Sequence, residues 1–157
     1  MRIAAIILGA LALVATAGGI FFYWIASAFI CFDVCPPVSF VGQRLSSAAA
    51  LSLGPGLLLS LAACILSLLA LRAQGRSTAF LVTLAAPFVV IIAAVLILYV
   101  AGGSLTPVAV SGPPEVAPAN RQVSSDWLNA TRYAVMPLII WPLVSFIAVL
   151  LRPGTPR

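Results

Sequence analysis

The chain has 157 residues, of which 63% are hydrophobic and 7% charged, whereas soluble domains run at about 45–50% apolar and about 25% charged. A water-soluble fold of this length has no way to hide so much apolar surface, so the composition selects lipid as the solvent. The net charge of +5 comes from eight basic residues, all Arg, against three acids. These arginines sit singly at the ends of apolar runs and not on one face, which argues against nucleic-acid binding and for a topology signal.

Histidine is missing from the sequence. That removes His-ligated haem, the usual zinc and copper sites and histidine acid–base catalysis. Three cysteines are too few for a four-Cys metal site, so we expect no metal, no cofactor and no catalytic residue. An Arg-only basic set beside abundant Ala, Gly and Pro suggests a GC-rich, bacterial genome.

The first apolar run, Ile3–Ile30, carries no charge over 28 residues, and about 20 suffice to cross a bilayer. We place the first transmembrane segment at 3–30. A signal peptide cleaved after Ala15-Thr16-Ala17 is the alternative, but the apolar run continues well past Ala17 and suits an anchor better. Phe21-Phe22-Tyr23-Trp24 falls about 33 Å from Arg2, at the depth of an aromatic belt. An outer loop at 31–45 then holds Cys31-Phe32-Asp33-Val34-Cys35-Pro36-Pro37.

The second segment, 46–72, contains Gly54-Pro55-Gly56, which is expected to kink it; a rival register starts the helix at Pro55 and leaves about 17 residues to span. Ala48, Ser52, Gly56, Ser60 and Cys64 recur every fourth residue along it. Such a small-residue stripe lets helices approach closely in lipid, where packing drives association. It makes this helix the expected packing centre, within the bundle or against another subunit. Leu61-Ala62-Ala63-Cys64 also matches a lipoprotein cleavage pattern, but it lies inside a span and is read as coincidence.

An inner turn at 73–77 leads to the third segment, 78–101, with Pro87 inside it. The Pro-rich stretch 102–125 is expected to be an extended outer loop, with Ser125-Asp126 starting the last helix. The fourth segment, 127–152, carries Pro137 and Pro142 as further kinks, and 153–157 is a tail. Trp141 lies about 16 Å from Arg152, near mid-bilayer, where its N–H needs an acceptor on a neighbouring helix. Asn129-Ala130-Thr131 is a glycosylation sequon too close to the membrane to be used.

The expected fold is one all-α bundle of four antiparallel transmembrane helices. Placing both termini in the cytoplasm gathers Arg2, Arg72, Arg76, Arg152 and Arg157 on the inner side, leaving Arg44, Arg121 and Arg132 with Asp33, Glu115 and Asp126 outside. The location is therefore the cell membrane, multi-pass.

Cys31 and Cys35 lie on an extracytoplasmic loop, where disulfides persist, so a structural disulfide is expected. Four helices, inside termini and a first-loop cysteine pair followed by an arginine, here Arg44, resemble the quinone-dependent membrane enzymes that reoxidise periplasmic disulfide catalysts. The resemblance implies a redox role for the pair. The chain departs from that pattern in the wider Cys31–Cys35 spacing and in having no cysteine between 102 and 132, so the likeness is one of topology.

No ionisable residue lies deep in any of the four segments, which argues against a coupled transporter. The function expected is an accessory, assembly or scaffold component of a membrane complex. It would meet the lipid bilayer and other membrane subunits, or self-associate through the second helix, without nucleic acid. A thiol–disulfide redox protein is the alternative, and a passive channel or a lipid- or quinone-binding protein is a further one.

Overall fold

The computed structural model describes residues 1–29, 38–101 and 117–151. Nearly all of these are helical, and no strand occurs among them. The elements are α1 (Arg2–Ala28), α2 (Val38–Ala73), α3 (Ser77–Ala101), α4 (Ala117–Ala134), a 3₁₀ turn (Met136–Ile139) and α5 (Ile140–Leu150). Four stretches are long and apolar enough to cross a membrane: Arg2–Ala28, Gly42–Ala73, Ser77–Ala101 and Asp126–Leu150.

Two expected boundaries are corrected. Residues 38–45, read as loop, belong to α2. The Pro36-Pro37 pair precedes the first helical residue, and proline at a helix entrance gives up only an amide that would be orphaned anyway. Likewise α4 begins at Ala117, so 117–125 is helix, and Ser125-Asp126 lies inside it and does not start it. Pro118 falls in the first turn, where it is tolerated, and Asn, Arg and Gln follow it.

The rival register for the second segment is excluded, because α2 runs unbroken through Gly54-Pro55-Gly56. The fourth segment is interrupted. Pro137 has no N–H to continue the ladder, and the chain tightens into a 3₁₀ turn between α4 and α5. Pro142 then sits buried in the first turn of α5.

The tightest packing joins α1 to α2. Along α1 the buried residues include Ala5, Gly9, Ala12, Thr16, Gly19 and Tyr23, spaced alternately four and three apart. Leu53, Gly56, Ser60, Ala63, Ser67 and Ala70 repeat the same spacing on α2. A period of about 3.5 residues is that of helices meeting along a continuous seam. Most of these side chains are small, so the backbones come into contact. A Cβ added to Gly56 would lie 2.9 Å from the Thr16 Cα, and one added to Gly19 would collide with the Ser52 carbonyl oxygen.

Larger side chains close the two ends. Ile20, Tyr23, Leu45, Leu53 and Leu128 cluster at one, which we call the tryptophan end. Ala5, Leu71, Ala148 and Val149 cluster at the other, the arginine end. There Arg2 Nε donates to the Val149 carbonyl at 3.2 Å and Nη2 to Leu150 at 3.1 Å. Arg76 Nη1 donates to the Ala148 and Leu151 carbonyls at 2.7 and 2.8 Å. These are the last carbonyls of α5, which lack helical partners, and two guanidinium charges suit the negative end of its dipole.

The third helix is the least covered. In its apolar stretch 17% of residues are buried, against 33% for the first and fourth stretches and 39% for the second.

Neighbouring glycines on and off this seam give a paired test. Gly19→Leu and Gly56→Leu should each destabilise the fold by about 1–3 kcal/mol through overpacking. Gly18→Leu and Gly54→Leu, where an added Cβ meets nothing within 4 Å, should stay within about 0.5 kcal/mol of the parent. Unfolding by SDS titration in mixed micelles separates the two groups; equal effects within a pair would contradict the seam.

Candidate functional site

Among the residues singled out from sequence, the stripe on α2 is placed most clearly. Ala48 packs at the edge of the tryptophan-end cluster. Ser52 presents its carbonyl to Gly19, and Gly56 lies against Thr16. Thr16 and Ser60 hydroxyls pair at 3.2 Å, and Thr16 Oγ1 also donates to the Gly56 carbonyl at 3.4 Å. The stripe is thus covered within the chain, by α1 along most of its length.

Cys64, the last member of the stripe, turns to α3. Its thiol, free and buried, donates to the Thr83 carbonyl at 3.9 Å. Thr83 stands four residues before Pro87, so the carbonyl is the one that Pro87 cannot serve with an N–H. The thiol takes the place of that missing donor. Sequence reading singled out Cys64 and Pro87 but neither Thr83 nor the connection, because nothing local to either points to the other helix.

The other expected partnerships are unevenly met. Trp141 Nε1 and Ser67 Oγ are buried and have no hydrogen-bond partner among the described residues. The acceptor expected for the Trp141 indole is therefore not seen. Cys31 and Cys35 lie outside the described residues, as do most of the Pro-rich stretch and the tail from Arg152 on. The expected disulfide gains no support from the structure.

The most densely bonded polar group was not foreseen as a unit. Where α4 ends, Trp24 Nε1 donates to the Arg132 carbonyl at 3.1 Å. Arg132 Nε in turn donates to Ser27 Oγ at 2.6 Å, and Ser27 Oγ donates to the Trp24 carbonyl at 2.8 Å. Trp24, Ser27 and Arg132 so close a ring across α1 and α4. Trp24 stacks edge-on against Tyr133, with ring centroids 6.0 Å apart at 90°, and Arg132 Nη1 reaches Asn129 Oδ1 at 3.4 Å. From sequence, Trp24 is an aromatic-belt residue, Arg132 a charge in the topology balance and Asn129 part of a sequon, and Ser27 carries no signal. Joining them required knowing that the helix break at 135–139 frees last-turn carbonyls for a neighbour.

A groove of about 530 Å³ opens beside this ring, lined by Ile20, Phe21, Trp24, Ile25, Arg132 and Met136 among others. A second, of about 490 Å³, lies on the α3 side of Tyr133 and Met136, against Leu96, Ile97 and Val100. Their walls are hydrocarbon and aromatic with one guanidinium, a lining suited to lipid chains. Among the described residues, no group of three or more His, Cys, Asp or Glu comes together to hold a metal.

Two single substitutions probe these bonds by SDS unfolding. Cys64→Ala should cost about 1 kcal/mol by stranding the Thr83 carbonyl, and Cys64→Ser, which keeps a donor, should recover most of it. Trp24→Phe should cost a similar ~1 kcal/mol by leaving the Arg132 carbonyl without its indole partner.

Compared with protein-family models, curated proteins and solved structures, the chain gives no match.

Proposed function

We propose that the chain is an accessory or scaffold component of a membrane assembly, a bundle of four antiparallel membrane helices that offers one side to a partner. The observation that carries this reading is the exposure of α3. Leu81, Val82, Phe88, Ile91, Ile92 and Val95 are all more than half exposed, although the ends of the bundle are closed by apolar clusters and arginine bonds. A helix held through Phe80, Thr83, Ala86 and Val90 and open along its outer side suits lateral contact with another membrane protein.

The antiparallel arrangement is supported by the contact pairs, in which Gly19 meets Ser52, Thr16 meets Gly56 and Ser60, and Ala5 meets Leu71. A cytoplasmic arginine end follows from the positive-inside rule, since Arg2, Arg72 and Arg76 gather there. The location we infer is the cell membrane of a bacterium. Self-association through the second helix would have to use its outward face, Leu51, Leu58, Leu61 and Ile65, because the stripe is occupied by α1. The redox alternative rests on Cys31 and Cys35 alone and draws no added support.

A photo-crosslinking amino acid placed at Ile92 on α3, with Leu58 on α2 as comparison, tests the reading in intact membranes. The proposal expects a protein adduct from Ile92, either hetero- or homomeric, and a matching mass above the monomer in mild detergent. Lipid adducts alone at both positions, with a monomer mass, would contradict it.

A further inference from the structure

The turn between α2 and α3 holds a second polar feature, separate from the tryptophan-end ring. Gly75 adopts a left-handed conformation, φ +67°, which a Cβ would disfavour. The turn it permits brings Arg72 and Arg76 to the wall of one cavity of about 400 Å³, completed by Gly75, Ser77 and Phe80. Arg76 is fixed in place by its two bonds to the end of α5. The Arg72 side chain is exposed, and its guanidinium makes no hydrogen bond or ion pair among the described residues; only its backbone carbonyl is engaged, by the Gly75 N–H at 3.1 Å. The charged side chains described at this end of the bundle are Arg2, Arg72 and Arg76, all cationic.

The cavity also spans a chemical boundary. Arg72 stands at the end of one apolar stretch and Ser77 begins the next, so its mouth lies where hydrocarbon meets water. Phe80 packs against the apolar cluster beneath. Two arginines and an aromatic ring on the wall of one largely apolar cavity match an anion that carries a hydrocarbon tail.

We infer that this cavity binds the phosphodiester headgroup of an anionic glycerophospholipid, with Arg72 and Arg76 facing the phosphate. Guanidinium forks suit phosphate oxygens geometrically, and basic pockets at the ends of membrane helices hold such headgroups. The inference requires a bilayer and does not depend on whether α3 meets a partner.

Native mass spectrometry of the full chain in detergent, titrated with phosphatidylglycerol or phosphatidylcholine, tests this. Phosphatidylglycerol should bind more tightly than phosphatidylcholine, and Arg72→Gln should weaken its binding about fivefold. The Arg72 guanidinium holds no described hydrogen bond or ion pair, so the variant should unfold with the parent chain. Arg44→Gln, which removes the same charge elsewhere, should leave lipid binding unchanged. Equal binding of the two lipids, or equal losses in Arg72→Gln and Arg44→Gln, would overturn the site. Displacement of phosphatidylglycerol by millimolar inorganic phosphate would assign the cavity to free phosphate and overturn the lipid.

Discussion

The close approach of α1 and α2 is the constraint on which the rest of the bundle depends. In lipid there is no hydrophobic gain from bringing two apolar helices together, so contact must come from dispersion and short polar bonds. Small side chains supply both, because they let backbones touch and place hydroxyls within reach of carbonyls. At Thr16, Gly56 and Ser60 these effects coincide. Bulkier residues then fill the wider spaces at each end, with Tyr23, Leu45 and Leu128 at one and Leu71 and Val149 at the other.

Against that rigid pair, the remaining helices are attached by repairs to their own defects. Pro87 leaves a carbonyl on α3 without its usual donor, and Cys64 on α2 supplies one. The break before Pro137 ends α4, and Trp24 on α1 takes up a carbonyl there. Arg2 and Arg76 do the same for the final turn of α5. A backbone group left unpaired in hydrocarbon is costly, so each defect selects a partner and fixes where its helix docks. The prolines thus help to specify the bundle and do more than bend it.

Much of this was legible in the sequence. Four membrane-length helices follow from uninterrupted apolar runs, and the α2 stripe follows from small residues at every fourth position. The matching row on α1, Ala5, Gly9, Ala12, Thr16 and Gly19, carries an equally regular signal that a four-residue period alone does not reveal. The helical state of 38–45 and 117–125 was hidden by prolines, whose effect depends on whether they fall before or within a helix. The ring of Trp24, Ser27 and Arg132 was not legible at all, since it joins residues more than a hundred positions apart. The cavity at Arg72 and Arg76 needs the turn at Gly75 to become visible.

The register of the α1–α2 seam can be measured by disulfide cross-linking. With the native cysteines replaced by Ser, Thr16→Cys combined with Ser60→Cys puts two thiols where hydroxyls now stand 3.2 Å apart. Mild oxidation in native membranes should link them rapidly and leave Thr16→Cys with Leu58→Cys unlinked, since Leu58 is 70% exposed on the outward face. Failure of the first pair to link, or equal linking of both, would show that the helices do not meet along this seam.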